Sequence, residues 1–304
     1  MERYFALDTY NKQTFGRKLY KLSLQGGTTC PNRDGTKGVG GCIFCGAGGS
    51  GEFAADASLP VEAQLELAKA RVANKIKEEP QTAQFIAYFQ SFTATYAPLR
   101  TMRARFFAAA RWPQTAVVDI ATRPDCLPAE TLELLSELQQ EKPVWVELGL
   151  QTASDETARR INRGYDTAVY LNAVRALHAR GIPVVTHVIL GLPGETRADM
   201  LHTVGTLNKA GSDGVKFQLL HVLRGTALEH ADYTPLTMDA YIDLLLDCIA
   251  HLDVRTVVHR LTGDGDKRLL LAPQWSADKK RVLNAIHREM CVRDIRQGML
   301  CETS

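Results

Sequence analysis

Cys30-Pro-Asn-Arg-Asp-Gly-Thr-Lys-Gly-Val-Gly-Gly-Cys42-Ile-Phe-Cys45 gathers three thiols in a glycine-rich loop near the start of the chain. A structural zinc site takes four ligands in a closed tetrahedron. Three thiolates suit a cubane iron–sulfur cluster, for which cysteine is the usual ligand, and they leave one iron open. The short Cys42-to-Cys45 step fits neighbouring irons on one cluster face, and the longer arm carries Cys30 round the other side. Gly35, Gly38, Gly40 and Gly41 supply the unusual backbone angles that such a wrap requires. Without their flanks, the three cysteines also admit a zinc site completed by a distant fourth ligand such as Cys126.

Outward from this loop, strands alternate with helices. Lys18 to Leu24 reads as a first strand that ends just before the cysteines. Further strands are expected at Gln84–Gln90, Val117–Arg123, Pro143–Leu150, Ile182–Leu190 and Gly214–Val222, with a short one at Thr256–Leu261. Helices are expected at Pro60–Glu79, Leu99–Ala110, Pro128–Gln140, Thr167–Arg180, Ala198–Ala210, Thr237–Leu252 and Ser276–Met290. The apolar, β-branched strands suit a parallel sheet buried on both faces, either doubly wound or closed into a barrel. Polar residues sit at the C-terminal strand ends: the cysteines, Gln90-Ser91, Thr122-Arg123, Glu147 to Gln151, His187 to Glu195 and His221 to Thr226. A βα barrel keeps its chemistry there. Six units imply an α/β fold of the partial (β/α)6, TIM-like kind, with an open cleft and a small helical C-terminal extension. The expected division is a barrel over 1–262 and an extension over 263–304.

Composition bounds the rest. With 304 residues and 45% hydrophobic content the chain can bury a sizeable core. A net charge of +2 sets up no strong overall field. No apolar run reaches membrane-spanning length and the first residues do not read as a signal peptide, so a cytoplasmic protein with no membrane partner is expected. Cys126, Cys248, Cys291 and Cys301 are scattered, as small hydrophobes or surface thiols are. Between Lys267 and Arg296, eight cations face three acids, beside Trp275 and His287. That segment reads equally as a phosphate-contacting helix or a solvated face.

Cys-x11-Cys-x2-Cys with Phe44 before the last cysteine resembles the radical S-adenosylmethionine (SAM) superfamily. The fuller string adds Cys30-Pro-Asn-Arg-Asp-Gly-Thr36, Gly40-Gly-Cys-Ile-Phe-Cys45 and Gly49-Ser-Gly-Glu-Phe53. It resembles the YhcC-type (YtqA-like) members, from about Lys18 to Trp275. Thr122-Arg-Pro-Asp125, Glu147-Leu-Gly-Leu-Gln151 and Gly191-Leu-Pro-Gly-Glu-Thr196 are more distantly similar to the Elongator catalytic subunit and to oxygen-independent coproporphyrinogen oxidase.

The resemblance implies a [4Fe-4S] cluster on Cys30, Cys42 and Cys45, and SAM as the second cofactor. Reductive cleavage of SAM then yields a 5′-deoxyadenosyl radical that takes a hydrogen atom from an unactivated carbon. It implies SAM contacts from Gln151, from Arg163 after Asn162, and from Phe44 near the adenine. Gln90-Ser91-Phe92-Thr93 stands where relatives hold the SAM ammonium with Gly-Gly-Glu, which makes Gln90, Ser91 and Thr93 candidate acceptors. His187 replaces a ribose-contacting Asp, and Ala121 a Glu of Elongator-like members. On general grounds Gln151 and Glu147 at a strand end read as structural polars, Arg163 as a surface cation and His187 as a core histidine. His259-Arg260 looks more site-like, because charges in an apolar strand need a partner. Tyr88, Phe89, Phe92 and Tyr96 read as a stacking surface or as core.

The expected activity is modification of tRNA at a wobble uridine side chain, with a reducing protein such as flavodoxin or ferredoxin as electron donor. The alternatives are a radical SAM enzyme acting on a small metabolite or tetrapyrrole, and a non-enzymatic zinc protein. With no second dense cysteine group, an auxiliary cluster is not expected.

Overall fold

Single charged or polar residues interrupt otherwise apolar strands, and their contacts reveal how far the sheet curls. The structure, a computed structural model, describes residues 2–49, 54–79, 81–263 and 265–301. Ser50 to Phe53 of the fuller string, and Asp264, lie outside the described residues. The chain order is α1 (Leu7–Phe15), β1 (Leu19–Leu24), α2 (Val61–Val72), β2 (Gln84–Phe89), α3 (Leu99–Arg111), β3 (Thr115–Thr122), α4 (Ala129–Glu141) and β4 (Val144–Gln151). It continues with α5 (Asp155–Arg160), α6 (Thr167–His178), β5 (Val184–Leu190), α7 (Arg197–Ala210), β6 (Gly214–Leu219), β7 (Val222–Leu223), α8 (Met238–His251), β8 (Val257–Arg260), β9 (Leu270–Ala272) and α9 (Lys279–Val292).

Seven strands pair in the order β1-β2-β3-β4-β5-β6-β8, all parallel. The sheet is strongly curled. Lys216 Nζ on β6 lies 3.0 Å from the Tyr88 hydroxyl on β2, four strands away. In a flat sheet that separation is about 19 Å, at roughly 4.8 Å per strand. The doubly wound alternative is thereby excluded, and the chain forms a half-barrel. Outward residues such as Leu22, Phe85, Phe89, Val146 and Leu148 are fully buried under the helices in one core. Phe89 packs edge-on against Phe106 of α3 at 4.9 Å, so it belongs to the core and not to a ligand surface.

Inside the barrel two layers stack. The lower one is apolar: Leu19, Ile86, Val117 and Trp145, sealed by Leu7, Tyr10 and Phe15 of α1. Helix α1 is an element that the sequence pattern did not reveal. It plugs the barrel bottom, and the adjoining Phe5 carbonyl accepts from Val258 N–H at 2.8 Å on the edge strand β8. The upper layer draws one polar side chain from each of β1 to β6: Lys21, Tyr88, Asp119, Glu147, His187 and Lys216.

Six βα units were expected; the strand near Thr256 joins the same sheet as a seventh member beside β6. The strand expected at Gly214–Val222 ends at Leu219, and β7 pairs antiparallel with β9. Helix α9 buries Val282, Ala285, Ile286 and Met290 in a core shared with β6, α7 and α8. Among the described residues no helix is long and apolar enough to cross a membrane.

Candidate active site

The loop after β1 is held in shape by its own polar residues and by the segment after α5. Asn32 Nδ2 donates to the Asn162 carbonyl at 2.6 Å, and Asn162 Nδ2 to the Gly41 carbonyl at 2.8 Å. Arg33 donates to the Cys45 and Gly46 carbonyls at 2.6 and 2.7 Å. Gly35, Gly40 and Gly41 adopt positive φ, as the wrap requires. Gly38 does not; a Cβ there would stand 2.3 Å from Asn32 Oδ1, so its role is close approach.

Cys30, Cys42 and Cys45 line one cavity of about 220 Å³. Burial, with Cys45 and Cys30 adding negative charge beside it, pushes the Cys42 thiol up to about 12, against the pull of Arg123. Among the described residues no three His, Cys, Asp or Glu side chains close at the spacing of a single metal ion. Cys126 lines a different cavity, with Lys37 and Tyr96, and its thiol donates to Asp125 at 3.7 Å. A zinc site completed by Cys126 is therefore not formed. The donor set fits a larger group carried on three thiolates.

The same cavity is lined by Phe44, Gln90, Thr93, Gln151, Arg163 and His187. Ser91 is buried but is not part of that lining. Gln151 closes β4 in a left-handed conformation, φ 63°, at a register shift between Gly149 and Gln151. Such backbone is rare outside glycine and is retained where surroundings enforce it. Gln151 Oε1 and Thr93 Oγ1 are buried without a hydrogen-bond partner. A buried acceptor left unmatched costs free energy, so these two oxygens fit a donor supplied by a ligand, as SAM carries.

Arg163 is one of the largest fully buried side chains. Its Nε and Nη2 donate to the Tyr165 carbonyl at 2.9 and 2.8 Å, its Nη1 to the Leu150 and Thr152 carbonyls at 2.6 Å each, and its Nη2 also to Asp155 at 3.4 Å. All five N–H groups are thus used inside the protein. The guanidinium fixes the strand end that presents Gln151 and lies 4.6 Å from the Tyr165 ring. It is neither a surface cation nor a free donor. Arg123, paired with Asp125 at 2.9 and 3.0 Å, donates to the Arg163 carbonyl at 2.9 Å and approaches Cys30 Sγ at 4.0 Å.

His187 does not stand free. Its Nε2 lies 2.7 Å from Glu147 Oε2, and Gln218 Nε2 lies 3.3 Å from its Nδ1. Burial holds it below the ordinary histidine range, so the neutral ring donates to Glu147 and accepts from Gln218. Glu147 Oε2 also accepts from the Tyr88 hydroxyl at 2.6 Å and from Lys216, while Oε1 accepts from Lys21 at 2.7 Å. Lys21 bridges to Asp119 at 2.5 Å. Burial opposes charge on Glu147, yet Lys21 and Lys216 hold it well below the carboxylate range. Lys216 is depressed to about 7 and Asp119 raised to about 7, both chiefly by burial.

Of this layer the sequence reading singled out only His187 as a ligand contact. A readable signal exists: Lys21, Asp119 and Lys216 each sit mid-strand among apolar neighbours at the inward-facing parity, where a charge demands a partner. Of the pair flagged on that ground, Arg260 lines the cavity, whereas His259 packs on Trp145 at 5.5 Å. Phe92 lines the cavity, and Tyr96 bonds Thr36 at 2.7 Å outside it.

Residues 27–207 match the Radical SAM superfamily, and residues 212–291 match the Radical_SAM C-terminal domain. The chain is 40% identical to the uncharacterized protein YtqA of Bacillus subtilis over 301 residues, 98% of this chain and 92% of that one. Over 80 residues, 25% of this chain and 17% of the other, it is 31% identical to tRNA-2-methylthio-N(6)-dimethylallyladenosine synthase of Halorhodospira halophila. Among solved structures it superposes on archaeal Elp3 of Methanocaldococcus infernus with a TM-score of 0.68 at 14% identity. That superposition covers 92% of this chain and 64% of the Elp3 chain, and it shows a shared fold.

Proposed function

The chain belongs to the radical SAM superfamily, and from that membership we propose that this radical SAM enzyme modifies cytoplasmic tRNA at a side chain of the wobble uridine. Its cofactors are a [4Fe-4S] cluster and SAM. When bound, they supply one-electron cleavage of a sulfonium carbon–sulfur bond and thereby hydrogen-atom abstraction from an unactivated carbon. Cys30, Cys42 and Cys45 hold the cluster. Gln151 and Thr93 present unmatched acceptors to SAM, with Gln90 beside them, and Phe44 offers its ring. Arg163 holds the end of β4 in place. The electron comes from a reducing protein such as flavodoxin or ferredoxin.

The observation that carries the tRNA reading is the outer face of α9. Lys280, Arg281 and Arg288 line one groove with Asn284 and Asp278. Arg288 and Arg293 both pair with Glu289, and Arg293 also with Asp243 at 2.6 Å, so Lys280 and Arg281 carry most of that face's available charge. The similarity of a short stretch to an enzyme named for its tRNA product supports the same reading. The experiment is nucleoside mass spectrometry of tRNA from a strain lacking the gene. One modified uridine should vanish and a precursor accumulate. Wild-type protein should restore it, and a Cys30→Ala, Cys42→Ala, Cys45→Ala triple variant should not. Unchanged nucleosides would sink the tRNA reading and favour a small metabolite or tetrapyrrole.

A further inference from the structure

Charge within the cavity is balanced almost to the last group, and the exception is informative. Among the described residues two acids line the cavity, Glu147 and Asp266. Glu147 accepts four hydrogen bonds, one from Lys21 on Oε1 and three from Tyr88, His187 and Lys216 on Oε2, as many as a carboxylate's roughly four acceptor sites. Asp266 is clasped by Arg268, Nη2 to Oδ2 at 2.6 Å and Nε to Oδ1 at 3.1 Å. Three arginines line the same cavity. Arg123 is paired with Asp125, and Arg163 spends its five donors mainly on carbonyls.

Arg260 is the third. It ends β8, the last strand of the sheet, whereas the cysteine loop follows the first. It makes no hydrogen bond or ion pair with any described residue. Tyr88, Glu147 and His187 of the polar layer line the cavity with it. A half-buried guanidinium lining this cavity has five N–H donors and, among the described residues, no acceptor to satisfy them. Its planar fork matches an oxyanion that can take two parallel hydrogen bonds.

We propose that Arg260 anchors an oxyanion subsite, where the substrate places a carboxylate or a phosphate ester beside Tyr88 and His187. The arrangement explains the saturation of Glu147. Were it unpaired, that carboxylate would take Arg260 for itself and repel an incoming anion. Held by two ammonium groups, a phenol and an imidazole, it leaves the third cation to the substrate. The subsite does not depend on the substrate being RNA.

The test uses the full chain, anaerobically reconstituted and saturated with SAM, so that the SAM carboxylate is already seated. Labelled acetate and labelled inorganic phosphate are the probes, measured by equilibrium dialysis at constant ionic strength for wild type, Arg260→Gln and Arg260→Lys. At least one probe should bind wild type about tenfold or more tighter than Arg260→Gln, the effect of losing one charge-assisted contact. Arg260→Lys should fall between, because a point charge keeps attraction without the fork. Acetate alone identifies a carboxylate, phosphate alone a phosphate ester. Iron content and SAM affinity should be equal in the three proteins. Equal probe binding by wild type and Arg260→Gln would overturn the subsite. A loss of SAM affinity in Arg260→Gln matching any loss of probe binding would also overturn it, by assigning the guanidinium to SAM.

Discussion

Gln151 and Arg163 are neighbours that do different work. Gln151 offers an unmatched oxygen to the cavity; Arg163 spends its donors on the backbone that aims it. Gln151→Ala is expected to weaken SAM binding about tenfold, the size of one hydrogen bond to a charged group, with unchanged unfolding by urea. Arg163→Leu leaves the carbonyls of Leu150, Thr152 and Tyr165 without their donors. It should cost on the order of 3–5 kcal/mol of folding stability, and SAM binding should fall with it. Should Arg163→Leu lose SAM affinity while its urea midpoint stays put, the side chain contacts SAM directly. The family resemblance makes the same two residues candidates, but their division of labour follows from geometry, which no spacing rule contains.

At the scale of elements, helix starts and surface faces carry separable effects. Helix α7 opens with Thr196 in a reciprocal cap with Asp199, and Glu195 just before it is half-buried, its Oε2 without a partner. Burial, with Asp199 nearby, raises Glu195 to about 7. Between about pH 4.5 and 7 the native state keeps a proton that the unfolded chain has released, so this group's contribution to stability falls as pH rises through that window. Glu195→Gln removes the titration. Its advantage over wild type should be near zero at pH 4.5 and grow to at most about 3 kcal/mol above pH 7, read from urea midpoints at pH 5 and pH 8. A constant difference at both pH values would show that the shift is absent. Helix α9 offers the second case. Lys280→Glu with Arg281→Glu should weaken tRNA binding and flatten its log–log salt dependence by about 0.7–0.9 per lost phosphate contact. Unaltered affinity would make this face a solvated one.

At the scale of the whole molecule, the half-barrel is open at the top and closed at the bottom. Helix α1 seals the bottom, with Tyr10 edge-on to Trp145 at 5.9 Å. Gln297 then ties the two ends of the chain together: it accepts from Phe5 N–H at 2.8 Å and donates to the Asp253 and Thr256 carbonyls at 2.6 and 2.8 Å. We propose the division into a barrel over 1–262 and an extension over 263–304 as a division of role, in which the extension meets substrate. Val282, Ala285, Ile286 and Met290 nevertheless lie buried against the barrel helices. Cutting the chain after residue 262 exposes their partners on α8. At about 1.5–3 kcal/mol per large apolar side chain, this removes much of a typical domain's stability. The shortened chain should be insoluble or unfold well below the full chain in a thermal melt. A soluble fragment with a native melt would mark the extension as separable.

The sequence by itself determined the parts that depend on local order. Alternating apolar runs and helical stretches set the βα succession, because backbone hydrogen bonding and one-sided burial are read along the chain. Strand bounds came within a few residues; for instance, the strand expected at Pro143–Leu150 spans Val144–Gln151. The three cysteines were legible because their spacing is local, and the cavity does gather them. What only the tertiary structure decided depends on residues far apart in sequence. Lys21 and Lys216 are separated by most of the barrel, yet both end on Glu147. Helix α1 is only nine residues long, and it acquires meaning only against Trp145. The use of Arg163, the saturation of Glu147 and the isolation of Arg260 follow from the curl of the sheet. The curl sets which inward side chains meet, and their pairing decides which charges are left for a ligand.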